Sequence, residues 1–405
     1  MKMKLKVMFK TRASWTLFTP ILLSSLACGG DPGGAAPLPP DPMEVVKDAR
    51  VTYSRIVLAS YEDALETAVT LDASLTALVG DPSDDTLEAA REAWLASREP
   101  YLQTEVYRFY DGPIDDPETG PEGLLNAWPL DENYIDYVAD YPEAGIINDP
   151  SQEISIENLS ALNEQGEKNI STGYHAIEFL LWGQDRSEDG PGDRPFTDYV
   201  TDGSGTAANQ ERRAEYLVTV SDLLNDDLSG LVDAWKEDDS SNYRAEFLDA
   251  EPKESLRRML TGMILLSGNE TGGERLAAPL ETHEQEEEHS CFSDNTHRDM
   301  IQDVQGVLNV WHGTYMRVDG SEIEGAGVRD VVDAEDSSLA TRIDDKLDEC
   351  LELANALDPP FDREIAAGND AGNQRVRALI SALQQVSDLF KEAFFAFELE
   401  IPDES

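Results

Sequence analysis

The sequence predicts an all-α protein made of two tandem helical bundles. Apolar residues recur mostly at helical spacing along the chain, and the alternating pattern of half-buried strands is scarce. The chain beyond its N-terminal segments is long enough for two domains that each have a core. Residues 236–243 are rich in aspartate and serine, so we place the domain boundary there. We therefore expect an N-terminal bundle at residues 43–238 and a C-terminal bundle at residues 239–405.

The N-terminal bundle should begin with two long helices. Apolar periodicity predicts a helix at residues 42–78 and a second at residues 83–109. Pro100 should kink or split the second helix, because proline removes a backbone donor and clashes with the preceding turn. Glycine and proline predict an irregular loop at residues 111–131, which returns to a helix near Glu132.

Further helices follow in both halves of the chain. One short apolar helix carries His175, a polar and glycine-rich loop is expected at residues 183–210, and a long helix at residues 216–235. The second half is predicted to be helical like the first, but it has no residue-level repeat that would prove a duplication. Its helices are predicted at residues 254–266, 298–315, 337–357 and 373–399.

The N-terminus predicts an export signal. Residues 1–27 carry lysine and arginine but no acidic residue, and an apolar run follows the basic start. Cys28 comes directly after a small residue, as the lipidated cysteine of bacterial lipoproteins does. The glycine- and proline-rich residues 28–42 can neither form a core nor pair as a strand, so they predict a flexible tether. Membrane contact is then expected through the lipid anchor only.

Two residues around the cysteine refine this prediction. Ser25 stands three positions before Cys28, where lipoproteins usually have leucine. If lipidation fails, ordinary cleavage would release an exported, periplasmic protein. Gly29 follows the cysteine and lacks the aspartate that retains many lipoproteins at the inner membrane. The prediction is therefore a bacterial envelope protein anchored at the outer membrane.

Charge and cysteine content limit the classes of partner. The chain has 82 acidic and 31 basic side chains and a formal net charge of −51. Such a surface repels nucleic acid, so DNA and RNA are excluded as partners, and it favours solubility. Beyond Cys28 the cysteines are Cys291 and Cys350, too few for a disulfide framework. The sequence leaves open whether these two form a single bridge.

The motif with the most chemistry is Gly173-x-His175-x-x-Glu178. A spacing of three places the imidazole and the carboxylate on the same face of an otherwise apolar helix. Both groups are metal ligands and also an acid and base pair. The alternative is a buried core histidine that is simply hydrogen-bonded. A zinc peptidase motif with a second nearby histidine is not present around His175.

A second polar stretch holds three of the five histidines, at residues 282–297. It is either a compact ligand cluster or a solvated acidic face that ends in a helix start. We favour the solvated face for His283 and Glu284. His289 and residues 290–295 predict a packed loop, because Cys291 and Phe292 lie there among polar residues.

These motifs together resemble the imelysin family, also called the peptidase M75 or iron-regulated-protein-A-like family. The family signature is matched by Gly173, His175 and Glu178 with the continuation Leu-Leu-Trp-Gly-Gln-Asp. The resemblance extends over nearly the whole predicted mature chain. Its other matching segments are residues 93–98, 104–109, 112–115, 126–132, 273–275, 288–297 and 360–362.

The resemblance implies an imelysin-like pair of helical bundles with a cleft between them, on an exported protein associated with iron uptake. It also implies a peptidase activity that is disputed. One helix supplies only His175 and Glu178, so further metal ligands must come from facing elements. Our candidates, chosen by side-chain type within family-like segments, are Glu105, Asp115, Asp131 and His289.

The leading hypothesis is a protein that binds a metal ion or an iron-containing ligand for iron acquisition. His175 and Glu178 would be ligands of a divalent or ferric ion, and oxygen and imidazole donors suit iron, zinc or manganese alike. A protein partner in iron transport would receive the cargo. One alternative is an M75-type metallopeptidase with Glu178 as general base. Another is a surface scaffold or adhesion lipoprotein whose cleft binds a protein.

Overall fold

Helices dominate the part of the chain that the structure describes, which confirms the predicted all-α class. The structure is a computed structural model and describes residues 40–163, 168–187 and 190–400. The predicted signal peptide, Cys28 and residues 28–39 of the predicted tether lie outside the described residues. Within those ranges, no helix is both long enough and apolar enough to cross a membrane.

The first half of the described chain alternates long helices with short ones. In residues 40–163, 168–187 and 190–250 the regular elements are all helical, and no β-strand is found there. The helices are α1 (Pro42–Gly80), α2 (Asp84–Leu102), α3 (Glu122–Leu125), α4 (Glu132–Ile135), α5 (Ile156–Leu162), α6 (Gly173–Trp182), α7 (Gln210–Trp235) and α8 (Tyr243–Asp249).

The second half contains the remaining helices and a hairpin of two three-residue strands. A π-helical segment, Leu266–Ala277, directly continues α9 and leads into α10. The elements are α9 (Pro252–Leu265), α10 (Ala278–Thr282), α11 (Thr296–His312), β1 (Thr314–Met316), β2 (Glu322–Glu324), α12 (Val328–Glu335), α13 (Ser337–Ala354), α14 (Phe361–Ile365) and α15 (Asp370–Ala396).

Side-chain caps explain several of the helix starts. Asp41 accepts a hydrogen bond from the backbone of Met43, and Pro42 occupies the first turn of α1, where it loses no helical hydrogen bond. Ser83 and Thr86 form a reciprocal capping box at the start of α2. Asp336 caps α13 by accepting from two backbone N–H groups.

Two predicted helix ends are wrong. The helix predicted to reach residue 109 ends at Leu102, and a 3-10 turn follows at Glu105–Tyr107. Phe109 has a positive φ of 75°, which cannot continue a helix. The helix predicted to reach residue 315 ends at His312, because Gly313 adopts a left-handed conformation and starts the antiparallel hairpin.

Helix α1 joins elements from both halves of the sequence. It packs against α2 and α7, and also against α9 and α12. Buried Asp63 of α1 accepts hydrogen bonds from the Tyr315 hydroxyl at 3.0 Å and from the guanidinium of Arg317 at 2.7 Å. Helices on the two sides of residue 238 are therefore in direct contact, and the division into bundles at 238/239 stays a prediction.

Candidate functional site

Helix α6 is buried along its whole length and begins at a glycine that no other residue can replace without strain. Gly173 has a φ of +81°, and a Cβ there would lie 2.4 Å from the carbonyl oxygen of Leu125. A positive φ and a backbone contact this close both require glycine. The indole of Trp94 donates a hydrogen bond to the carbonyl of Tyr174 at 2.9 Å. The glycine of the motif thus sets the position of α6.

His175 and Glu178 form a hydrogen-bonded pair on this helix. Nδ1 of His175 lies 2.8 Å from Oε2 of Glu178, and both side chains are almost completely buried. Oε1 of Glu178 accepts hydrogen bonds from the backbone N–H and the hydroxyl of Ser293, at 3.0 and 2.7 Å. Nε2 of His175 has no hydrogen-bond partner among the described residues.

His289 forms a second pair of the same kind. Its Nδ1 lies 2.8 Å from Oδ2 of Asp299, which also accepts from the hydroxyl of Ser290 at 2.5 Å. Its Nε2 lies 3.4 Å from the side-chain nitrogen of Asn126, whose oxygen accepts from Arg98 at 2.5 Å. In both pairs a carboxylate holds Nδ1 and leaves Nε2 directed away from it.

The two imidazoles lie next to each other. Their ring centroids are 4.8 Å apart at an interplanar angle of 73°, and Trp128 covers His175 at a centroid distance of 4.9 Å. His289 and Trp128 line a cleft of about 320 Å³, together with Arg108, Glu274 and other residues. His175 is only 1% exposed and does not line the cleft itself, but its ring packs against His289 and Trp128, which do.

The surroundings keep both imidazoles neutral. Burial lowers the pKa of His175 well below its ordinary value, and the guanidinium of Arg98 lowers it further. Burial, then Arg275 and Arg98, lower the pKa of His289 in the same way. A neutral imidazole is the form that binds a metal ion. Neither imidazole therefore carries the additional proton of an imidazolium, which a metal ion would have to displace.

Glu178 responds to burial in the opposite direction. Burial raises the pKa of Glu178 to about 8, against the lowering effects of Ser293 and Arg98. When protonated, the carboxyl group of Glu178 donates to Nδ1 of His175 and leaves the ring proton on Nε2, and when ionised it accepts from Nδ1. When the proton is on Nδ1, Nε2 presents its lone pair to a ligand. A neutral imidazole nitrogen is a suitable donor for a borderline ion such as zinc or iron.

The other metal-ligand candidates from the sequence, apart from His289, have structural partners of their own. Glu105 is buried and paired with Arg108 at 2.7 Å and with Arg275, and its electrostatic interaction extends to His289. Asp115 holds the turn after the 3-10 segment by accepting from backbone N–H groups, including that of Gly112 at 2.8 Å. Asp131 bonds to nearby Asn133. The structure thus brings His289, but not Asp115 or Asp131, against His175.

Residues 282–297 divide as the polarity of the stretch predicts. His283 and Glu284 are exposed, whereas His289 and residues 290–295 are buried. Sequence reasoning missed the roles of Ser293, Asp299 and Asn126. Ser293 and Asn126 lie within family-like segments, which was the available signal, whereas nothing in the sequence singled out Asp299.

Comparisons with known proteins agree on one family. The family model described as Imelysin (peptidase M75) matches residues 57–390. A curated relative, "Iron-regulated protein A" of Synechococcus elongatus, is 26% identical over 342 residues, covering 82% of this chain and 81% of the relative.

Two solved structures share the fold. An iron-regulated protein A precursor from Parabacteroides distasonis has a TM-score of 0.65 and 21% identity, covering 88% of this chain and 97% of its own. An imelysin-like protein from Psychrobacter arcticus has a TM-score of 0.59 and 14% identity, covering 90% and 99% respectively.

Proposed function

Because the chain belongs to the imelysin family, we propose that it is an iron-handling protein that binds a metal ion or an iron-containing ligand through the imidazoles of His175 and His289. The ligand would enter from the cleft that His289 and Trp128 line. In this proposal the protein is exported and lipid-anchored through Cys28, and it passes iron to a partner in the cell envelope.

One observation carries the proposal. Nε2 of His175 is a buried nitrogen without a hydrogen-bond partner in the described part of the chain. An unsatisfied buried polar group costs about 1 to 3 kcal/mol. A ligand at this atom would remove that cost, and the imidazole of His289 lies against the same ring.

The geometry also suggests separate roles for the two residues of the motif. Both oxygens of Glu178 already take part in hydrogen bonds, Oε2 with Nδ1 of His175 and Oε1 with Ser293. We therefore infer that Glu178 positions the imidazole and selects its tautomer rather than binding the ion itself. Carboxylates that hold the second nitrogen of a metal-binding histidine have this role.

Iron as the cargo rests on the relatives. The curated relative from Synechococcus elongatus and the Parabacteroides distasonis structure are both named as iron-regulated proteins. Imidazole donors suit zinc as well as iron. This geometry does not favour a peptidase mechanism, because a general base must be within reach of the attacking water, and Glu178 is completely buried with both oxygens in hydrogen bonds to protein groups.

The experiment is metal analysis and titration of the full chain. Wild-type protein, His175→Ala and His289→Ala are compared with His312→Ala, a control at an exposed histidine. We expect a stoichiometric ion in the wild type and the control, and its loss in the other two variants with the fold retained. Retention of the ion by His175→Ala would contradict the proposal. So would a wild type that binds none of Fe²⁺, Fe³⁺, Zn²⁺ or Mn²⁺, and this outcome would favour a protein partner in the cleft.

A further inference from the structure

Three aspartates from distant parts of the sequence converge in the interior. Asp185 follows α6, Asp294 lies in the loop before α11, and Asp362 lies in α14. One carboxylate oxygen from each lies within 4.8 Å of the others. The three residues are 3%, 7% and 5% exposed. Carboxylates buried this closely repel one another unless a proton or a cation lies between them.

The carboxylate of Asp294 is buried without hydrogen bonds to either of its oxygens in the described part of the chain. Its side chain is more than nine-tenths buried. Asp362 and Asp185 act on it with negative charge, and Arg363 is the cation that opposes them. Buried carboxylates without partners are rare, because removing a charge from water without a compensating partner is strongly unfavourable. A bound cation would satisfy both oxygens.

A further buried carboxylate lies next to the three aspartates and adds negative charge that a bound cation would neutralise. Glu288 is fully buried and faces Asp362, so a fourth carboxylate adds to the same region. Asp185 is held by the side chain of Gln285 at 2.6 Å and by the backbone N–H of Ser187 at 2.9 Å. These bonds orient Asp185 and leave further lone pairs on its oxygens.

We propose that Asp185, Asp294 and Asp362 bind a hard divalent cation of the calcium class, at a site separate from the paired imidazoles. An all-oxygen donor set selects hard cations over zinc or ferrous iron. Calcium accepts about six to eight oxygen ligands in a flexible geometry, whereas magnesium requires a near-ideal octahedron. Three oxygens that all lie within 4.8 Å of one another are close enough to contact one such cation. Asp185 also lines a cavity of about 400 Å³ that can supply water ligands.

The cation would join three segments that the sequence keeps far apart. Asp185 extends from the helix that carries His175 and Glu178. Asp294 is the neighbour of Ser293, which donates two hydrogen bonds to Glu178. A cation at the triad therefore fixes the loop that positions Glu178 and ties it to α14.

The test is calcium titration of the metal-stripped full chain by calorimetry. It is run at or above about 0.15 M salt, where screening weakens cation binding to the acidic surface. The variants are Asp294→Asn and Asp362→Asn, with Asp345→Asn as the exposed control. Asparagine tolerates the left-handed conformation of Asp294, whose φ is +57°. We expect one saturable site in the wild type and the control, and at least about tenfold weaker affinity in both variants.

Thermal unfolding separates binding from folding. Calcium should raise the midpoint temperature of unfolding of the wild type and of Asp345→Asn. It should leave the midpoint temperatures of Asp294→Asn and Asp362→Asn unchanged. His175→Ala should keep the calcium site, which makes this test independent of the imidazole proposal. The inference is overturned if the wild type has no saturable calcium site, or if both variants bind calcium as tightly as the control.

Discussion

The imidazoles of His175 and His289 lie edge to face with their centroids 4.8 Å apart, and each is held at Nδ1 by its own carboxylate. One ring comes from α6 and the other from the loop before α11. Ser293 of that loop donates to Glu178, so the two elements are hydrogen-bonded to each other beside the pair. The rings are thus oriented before any ligand arrives, which is the condition for a precise binding site.

Glu178→Gln should weaken metal binding by roughly 10- to 100-fold without unfolding the protein. The two donors of Ser293 should keep the amide oxygen of the glutamine on their side, which turns its NH₂ group towards Nδ1 of His175. The imidazole proton must then be on Nε2, which can no longer bind an ion. Metal titration with circular dichroism measures both effects.

Asp299→Asn is the companion variant at the second pair, since Asp299 holds Nδ1 of His289. Glu132→Gln is the control, because this buried glutamate bonds to Gln184 instead. Unchanged affinity in Glu178→Gln, with the fold intact, would show that the carboxylate does not select the tautomer.

Gly173→Ala should destabilise the protein by at least about 2 kcal/mol. The backbone there has a φ of +81°, and the new Cβ would lie 2.4 Å from the carbonyl oxygen of Leu125. Gly230→Ala in α7 is the matched control, because a Cβ there meets nothing within 4 Å. It should stabilise the protein by about 0.5 to 1 kcal/mol. Chemical denaturation compares the two, and equal losses would refute the role given to Gly173.

The sequence predicts the long helices well and the irregular segments poorly. Helix α1 is predicted at residues 42–78 and found at Pro42–Gly80, because its apolar period persists over many turns. The π-helical segment Leu266–Ala277 is missed, since its wider turn leaves no distinct period in so short a stretch. The hairpin after His312 is also missed, because each of its strands has only three residues.

The candidate site shows the same limit. Spacing alone places His175 and Glu178 on one face of a helix, which is what the sequence predicts. It cannot show that Glu178 faces Nδ1 of His175 instead of a shared ion. That arrangement depends on Ser293, which is 115 residues away in the chain. The pairing of His175 with His289 is likewise a tertiary contact that no local pattern encodes.

Asp136→Asn should destabilise the protein by about 3 kcal/mol or more, because it removes the counterion of buried Arg213 and leaves buried Arg194 with Asp198 as its remaining carboxylate partner. Oxygens of Asp136 accept from Arg213 at 2.7 and 3.0 Å and from Arg194 at 2.8 Å. The exposed pair of Arg342 and Glu392 is the control, and Glu392→Gln should have little effect. Urea unfolding measures the free energy of unfolding of both variants. A small decrease in Asp136→Asn would show that water or another acidic group compensates for the lost carboxylate charge.

Cys291 and Cys350 should both be inert to thiol reagents in the native protein. Both are buried, and neither forms a disulfide within the described part of the chain. Burial raises the pKa of Cys350 to about 12 and that of Cys291 well above its ordinary value, so little reactive thiolate forms. In a Cys28→Ser background, a chromogenic thiol assay should detect no thiol before denaturation and two after it. Two missing thiols after denaturation without reductant would instead reveal a bridge.

Asp227→Asn should stabilise the protein at neutral pH but not in acid. Burial, with the charge of Asp226, raises the pKa of Asp227 to about 6. Its Oδ2 has no hydrogen-bond partner among the described residues. Arg257 and Arg258 of α9 line the same cavity.

The sign of this effect follows from proton uptake. Between about pH 4 and pH 6 the folded state holds the Asp227 proton and the unfolded state has lost it, so stability falls as pH rises through this window. Asparagine cannot lose that proton, and the advantage of Asp227→Asn should therefore grow from about pH 4 to pH 6 and stay constant above. Because the side chain is partly exposed, solvent screening reduces the expected gain to about 1 kcal/mol. Denaturation midpoints of the two proteins across this pH range measure the effect. An advantage that is already complete at pH 4 would mean that Asp227 is ionised there and that burial does not control its charge.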